Sequence, residues 1–226
     1  MGETQLICPP VQEHLTTQVV IVGSGAAGMR TALDLADAGV PTLLVTRGEL
    51  TDSATDWAQG GLAAVWRADD SVDLHVADTL TAGAGLCDEQ AVRTLVTRAP
   101  GALRRLMADG ASFDTDDAGD IDLHLEGGHH ARRILHAGGD QSGHEVEVAL
   151  ARRAGALDVC DHARLIDICT DCRGATCGVL VARGGTTVEI SCDHVVLATG
   201  GYAGLYAQTT NPSGSMPSAN SSNAAA

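Results

Sequence analysis

The chain has 226 residues, 44% of them apolar but only 2% aromatic, so a core must be built from alanine, valine, leucine and isoleucine. This length suits one substantial core, or one large and one small domain. A net charge of −15, with no lysine and every fixed positive charge an arginine, argues against nucleic acid or an anionic membrane surface as a partner.

Residues 1–17 read as a loose leader without the charged and apolar regions of an export signal. No apolar run reaches membrane-spanning length, so a soluble, cytoplasmic protein with no membrane partner is expected. The stretch VVIVGSGAAG (residues 19–28) begins with four β-branched residues suited to a buried strand, followed at once by Gly23, Gly25 and Gly28. The next eleven residues carry apolar side chains at helical spacing and end at Gly39. In a strand–turn–helix setting G-x-G-x-x-G points to dinucleotide binding. The first glycine allows the tight turn, the second lets the backbone approach a pyrophosphate, and the third lets helix and strand pack closely. The dipole and N–H groups at the helix start then face the phosphates.

PTLLVTR (residues 41–47) reads as a second buried strand parallel to the first. Residues 51–66 are rich in small side chains, turning and then apolar, and residues 71–110 are helical in pattern. Within the latter, Val92, Leu95, Val96, Ala99, Leu103, Leu106 and Met107 fall near one face, with Gly110 as the stop. The acidic run 114–120 is a solvated loop, since its spacing does not fit a calcium loop. HEVEVALARRAGA is again helical. ARLIDICT, GVLVA, TTVEIS and HVVLATGG are short strands, and residues 213–226 form a polar, disordered tail. The order implies an α/β fold: a Rossmann-like domain over residues 18–212, with a parallel central sheet and a β-meander excursion. Seven cysteines, an odd number with no export signal, suit reduced thiols, and C-x2-C-x4-C (Cys169, Cys172, Cys177) lacks the fourth ligand of a zinc site. No metal is expected.

The turn alone leaves the nucleotide open. Where an acidic residue usually meets the ribose, the second strand ends in Thr46 and Arg47, with Glu49 slightly late; an arginine there also suits the 2′-phosphate of NADP. Three further segments narrow the choice: TDSATDWAQGGLAAV, EGGHHARRILH and ATGGYAGLYAQTTNP. With VVIVGSGAAG, in this order, they resemble the flavoproteins of the succinate dehydrogenase and fumarate reductase family, and within it the L-aspartate oxidase branch. The AQGG and EGGH-x-x-x-R-I-x-H elements carry the resemblance to that branch.

The resemblance implies FAD. Gly23, Ser24, Gly25, Ala26, Ala27 and Gly28 would cradle its pyrophosphate, and Arg47 stands where a basic residue contacts the adenosine side. Ala54, Thr55, Asp56, Trp57, Ala58, Gln59, Gly60 and Gly61 would pass beside the diphosphate and the isoalloxazine ring. The histidine that links flavin covalently in the fumarate reductase branch is replaced by Asp52, Ser53, Ala54 and Thr55, implying non-covalent FAD. Glu126 matches the glutamate that orients aspartate, a carboxylate facing an ammonium. His129, His130, Arg132, Arg133 and His136 follow it, and the plainer reading of each is packing or loop bridging. The implied reaction oxidises L-aspartate to iminoaspartate, with oxygen or fumarate as electron acceptor, as the first step of de novo NAD synthesis; quinolinate synthase is the implied partner. The family continues after TTNP with G-D-G, whose aspartate would fall near 218, where this chain has Pro217, Ser218 and Ala219. The capping and C-terminal helical domains would lie further on, so a truncated and inactive form is expected, with no catalytic residue assigned within the chain. Alternatives are a fumarate reductase or succinate dehydrogenase-type flavoprotein fragment, a non-catalytic dinucleotide-binding fragment, and, on Arg47 alone, an NADP-binding module.

Overall fold

A computed structural model describes residues 10–212 of the chain. Its first elements are β1 (Val11–Thr16), β2 (Val19–Val22), α1 (Ala26–Asp37), β3 (Thr42–Val45) and β4 (Leu62–Ala63). Two helices follow, α2 (Val72–Ala82) and α3 (Glu89–Ala108), then β5 (Leu123–His124), β6 (Ile134–Leu135) and α4 (Ser142–Ala154). The remainder is β7 (Asp158–Cys160), β8 (Ala163–Thr170), β9 (Thr176–Arg183), β10 (Thr186–Ser191) and β11 (His194–Leu197). The chain divides into two compact units, one built from residues before 55 and after 150, the other from residues 55–150.

The first unit holds two sheets. β11-β2-β3-β7 is wholly parallel, with Val19–Val22 fully in the interior as a continuous β-branched run must be when both faces are covered. β8, β9 and β10 form the antiparallel meander expected, and β1 adds to β10 in parallel. Val20, Val22, Val45, Val179, Val181, Val188 and Ile190 make its core, in keeping with the scarcity of aromatics.

β1 corrects the expectation of a loose leader over residues 11–16. The strand is mostly solvent-facing, and only Val11 and Leu15 turn partly inward. Backbone bonding to β10 rather than an apolar alternation holds it, which is why composition did not reveal it. Residues 1–9 of the leader, the tail 213–226 and the position near 218 lie outside the described residues.

In the second unit α2 and α3 pack through Val76, Val92 and Val96. The later part of α3 contributes Leu103, with Ala99, Leu106 and Met107, to a cluster around Phe113, Leu123 and Leu135. Leu95, expected on this face, is 69% exposed, because the buried stripe runs through Val92, Val96 and Leu103 and leaves Leu95 on its flank. The helical stretch also divides: Gly83 ends α2, Ala84 and Gly85 take positive φ, and Asp88 caps α3 by accepting from the Ala91 N–H. Gly110, at φ 104°, follows the Asp109 cap as the predicted stop. Among the described residues no helix is long and apolar enough to cross a membrane.

Candidate functional site

The glycine turn sits between the C-terminal end of β2 and the start of α1, at the carboxyl edge of the parallel sheet, where open α/β folds bind ligands. Gly23 has φ 112°, and a Cβ there would lie 2.2 Å from the Ala198 carbonyl oxygen at the end of β11. A Cβ on Gly28 would lie 1.8 Å from the Gly23 carbonyl oxygen. Neither position admits a side chain, so the turn is closed against its own backbone and against β11. Gly25 is the N-cap of α1 and supplies no side-chain cap, and the first helical turn carries no acidic residue. A helix start so arranged keeps its positive end for an anion. The Ser24 hydroxyl is buried and bonds the Thr46 hydroxyl at 2.8 Å, tying the turn to the end of β3. Its side chain thus serves to hold the turn against the sheet.

The segment Ala198, Thr199, Gly200 and Gly201, which sequence reading used only for its resemblance, adjoins this turn because β11 pairs with β2. Arg47 is exposed beyond the end of β3. Close by in the chain, Glu49 Oε1 and His162 Nε2 are 3.0 Å apart, and His162 takes φ 48°. Arg183 donates to the Asp161 carboxylate at 2.7 Å, which holds that carboxyl below its ordinary range. Glu49, Asp161 and His162 offer ligand-type atoms within 4.8 Å of one another.

A second constellation lies inside the unit of residues 55–150. Gly61 precedes β4, which pairs with β6, and a Cβ on Gly61 would meet Ile134 Cγ2 at 2.3 Å, the Leu135 carbonyl at 2.6 Å and His136 Nε2 at 3.0 Å. The AQGG and EGGH-x-x-x-R-I-x-H segments, 65 or more residues apart, are thereby brought together on a minimal-side-chain contact. Gly143 at the start of α4 packs in the same way on the carbonyls of Thr55 and Ala58, and donates to the latter at 3.1 Å. His144 Nδ1 lies 2.7 Å from an Asp56 carboxylate oxygen. Trp57, Ala58 and Gln59 are exposed.

Glu126 Oε1 lies 2.7 Å from His136 Nε2, while His136 Nδ1 faces the Gly139 carbonyl at 3.2 Å. Both ring nitrogens thus face oxygen atoms, which fixes the ring between the Glu126 carboxylate and the Gly139 carbonyl. The Glu126 side chain is 45% exposed, whereas His136 is nearly covered, and the His124 ring lies 4.7 Å from it. An accessible carboxylate is therefore aimed by a fixed imidazole.

Arg133, in contrast, has no exposed surface. Its guanidinium grips Asp70 through two bonds of 2.8 and 2.7 Å and donates to Asp78 at 2.7 Å. His130 adds its backbone N–H and its ring to Asp78. Burial pulls the Arg133 pKa down, but the two carboxylates outweigh it and hold it above the ordinary value. For Arg133 and His130 the plain structural reading holds: they bridge the loop before α2 and α2 itself to β6. Asp70, Asp78 and buried His75 were not singled out from sequence. His75 has its pKa lowered, first by burial and then by Arg133, and its Nδ1 has no hydrogen-bond partner.

Residues 18–226 match a family described as the FAD binding domain. The chain is 48% identical over 206 residues to an L-aspartate oxidase of Streptomyces coelicolor, covering 88% of this chain and 36% of that protein. It is 43% identical over 203 residues to an L-aspartate oxidase of Mesorhizobium japonicum, covering 88% of this chain and 39% of that one. Among solved structures, E. coli quinol fumarate reductase FrdA superposes with a TM-score of 0.84 at 28% identity, over 89% of this chain and 35% of that chain. The chain thus spans little more than a third of the length of the relatives it matches.

Proposed function

From a chain that belongs to the FAD binding domain family, we propose that residues 18–212 form the flavin-binding part of an L-aspartate oxidase, a cytoplasmic enzyme converting L-aspartate to iminoaspartate. The carrying observation is the identity to aspartate oxidases, well above that to the fumarate reductase flavoprotein. The residues present fit FAD: Gly23 and Gly28 leave no room for a Cβ, and the uncapped start of α1 favours a pyrophosphate. Gly23, Ser24, Gly25, Ala26, Ala27 and Gly28 would hold the diphosphate by backbone, with Arg47 toward the adenosine and residues 54–61 toward the ring. When bound, FAD supplies the hydride acceptor, so the protein's task is positioning and electrostatics.

Glu126 does that on the substrate side. Its carboxylate faces solvent and is oriented by His136, which suits it to the ammonium group of aspartate. Gly61 lets β4 approach His136 closely enough to keep that ring in place. Electrons leave to oxygen or fumarate, and the iminoaspartate product belongs to de novo NAD synthesis, with quinolinate synthase as the partner this reading implies.

The test is L-aspartate-dependent peroxide release by an enzyme carrying this chain at the relatives' full length. Glu126→Gln is expected to raise KM for aspartate by about tenfold or more, the loss of one charge-assisted bond, while fumarate, a dicarboxylate dianion without an ammonium group, loses no affinity. Equal KM values for the variant and the parent would refute the assignment of Glu126.

A further inference from the structure

The six described cysteines form no disulfide, and two of them, Cys177 and Cys192, are joined by a backbone hydrogen bond. β9 and β10 are joined by Gly184 and Gly185, both at positive φ, with Arg183 and Thr186 paired across the turn. Every second pair along this ladder, Val181 with Val188 and then Val179 with Ile190, lies on the buried face. The paired ladder ends at Ser191 and Gly178, and just beyond it the Cys192 N–H donates to the Cys177 carbonyl at 3.2 Å, which makes the two cysteines neighbours across the end of the strand pair. Residues opposed across an antiparallel strand pair have Cα atoms about 4.5–5.5 Å apart. A disulfide requires roughly 4.4–6.8 Å.

The two thiols differ in surroundings. Cys192 is 5% exposed and closes the end of the valine-rich core, whereas Cys177 is exposed. Both border one open groove with Thr17, Gln18, Pro41 and Asp193, so a small solute reaches the sulfur of Cys177 from solvent. Burial holds the Cys192 thiol above its ordinary pKa, with Asp193 and Cys177 adding to the push.

We propose that Cys177 and Cys192 are a reversible disulfide-forming site whose oxidant is hydrogen peroxide. The Cys177 sulfur attacks one peroxide oxygen; the O–O bond breaks, an S–O bond forms, and the second oxygen leaves with the thiol proton as water. The Cys192 sulfur then displaces the hydroxyl from Cys177. An S–S bond forms, the S–O bond breaks, and the Cys192 proton leaves with hydroxide as a second water. The peroxide is reduced by two electrons and the pair of thiols is oxidised by two. A bridge with one sulfur at the surface belongs to the easily reduced kind. The proposal rests on strand register and is independent of the aspartate reading.

The experiment treats the folded full chain with hydrogen peroxide, blocks remaining thiols, digests with trypsin without reductant and reads the peptides by mass spectrometry. Cleavage after Arg173 and Arg183 puts Cys177 and Cys192 on different peptides, and Cys169 and Cys172 on a third. The expected result is a linked pair carrying Cys177 and Cys192, lighter by two hydrogens, with loss of two titratable thiols and recovery of both after dithiothreitol. Cys177→Ser is expected to abolish the link and Cys172→Ser to preserve it. Unlinked Cys177 and Cys192 peptides after oxidation, or linkage of either to the peptide of Cys169 and Cys172, would overturn the proposal; the peroxide-treated parent chain alone suffices to decide it.

Discussion

Arg133 has no water-facing atom and holds two buried carboxylates, Asp70 and Asp78. Removing it strands both charges in the interior. Arg133→Ala is expected to destabilise the chain by about 3–5 kcal/mol, measured by urea unfolding, whereas Arg132→Ala, at an exposed neighbour, is expected to change stability by less than about 0.5 kcal/mol. The same cluster sets an acid limit. Burial alone would raise the Asp78 carboxyl, but the N–H bonds from His130 and the Arg133 guanidinium overcome it and hold it well below its ordinary 3.8. Because the folded value lies below the unfolded one, this stabilisation is complete above the unfolded value and is lost as pH falls through 3.8 and lower. His75, lowered from 6.5 by burial and by Arg133, acts in the same direction at higher pH: below 6.5 the unfolded chain takes up a proton that the fold resists. Tm is therefore expected to be flat between about pH 7.5 and 8 and to fall on acidification, with His75→Gln flattening the stage between about pH 6.5 and 5. An unchanged profile in that variant would remove His75 from the account.

At the scale of elements, legibility followed how much each segment declares through its own side chains. β2, the glycine turn and α1 were readable because a β-branched run, three glycines and a helical stripe all point to one arrangement. β8, β9 and β10 were readable as alternating strands between turns. β1 was not, since its stability comes from backbone pairing with a strand about 175 residues later. The same limit applies to the candidate site. Glu126 and His136 were visible as residues, but their pairing depends on the short β5–β6 ladder. Ala198 and Gly23 meet only because β11 returns beside β2. Asp70 and Asp78 lie 63 and 55 residues from Arg133, with nothing local to join them. Leu95 shows the converse error, an apolar residue assigned to a stripe that passes beside it.

For the molecule as a whole, two compact units carry separate parts of the proposed work: a phosphate turn in the parallel-sheet unit and an aimed carboxylate in the other. The first is the premise of the second, since aspartate oxidation needs the flavin held. FAD titration of the chain, followed by flavin fluorescence, tests this most directly, with Gly28→Val as the probe and Gly101→Ala, on an open helix surface, as the control for folding. A side chain at Gly28 must push the Gly23 carbonyl out of the turn, so the account predicts saturable binding to the parent and the control and an affinity at least about tenfold weaker in Gly28→Val, with circular dichroism reporting whether that chain still folds. Equal affinity in all three chains, or a folded parent that takes up no FAD, would contradict it.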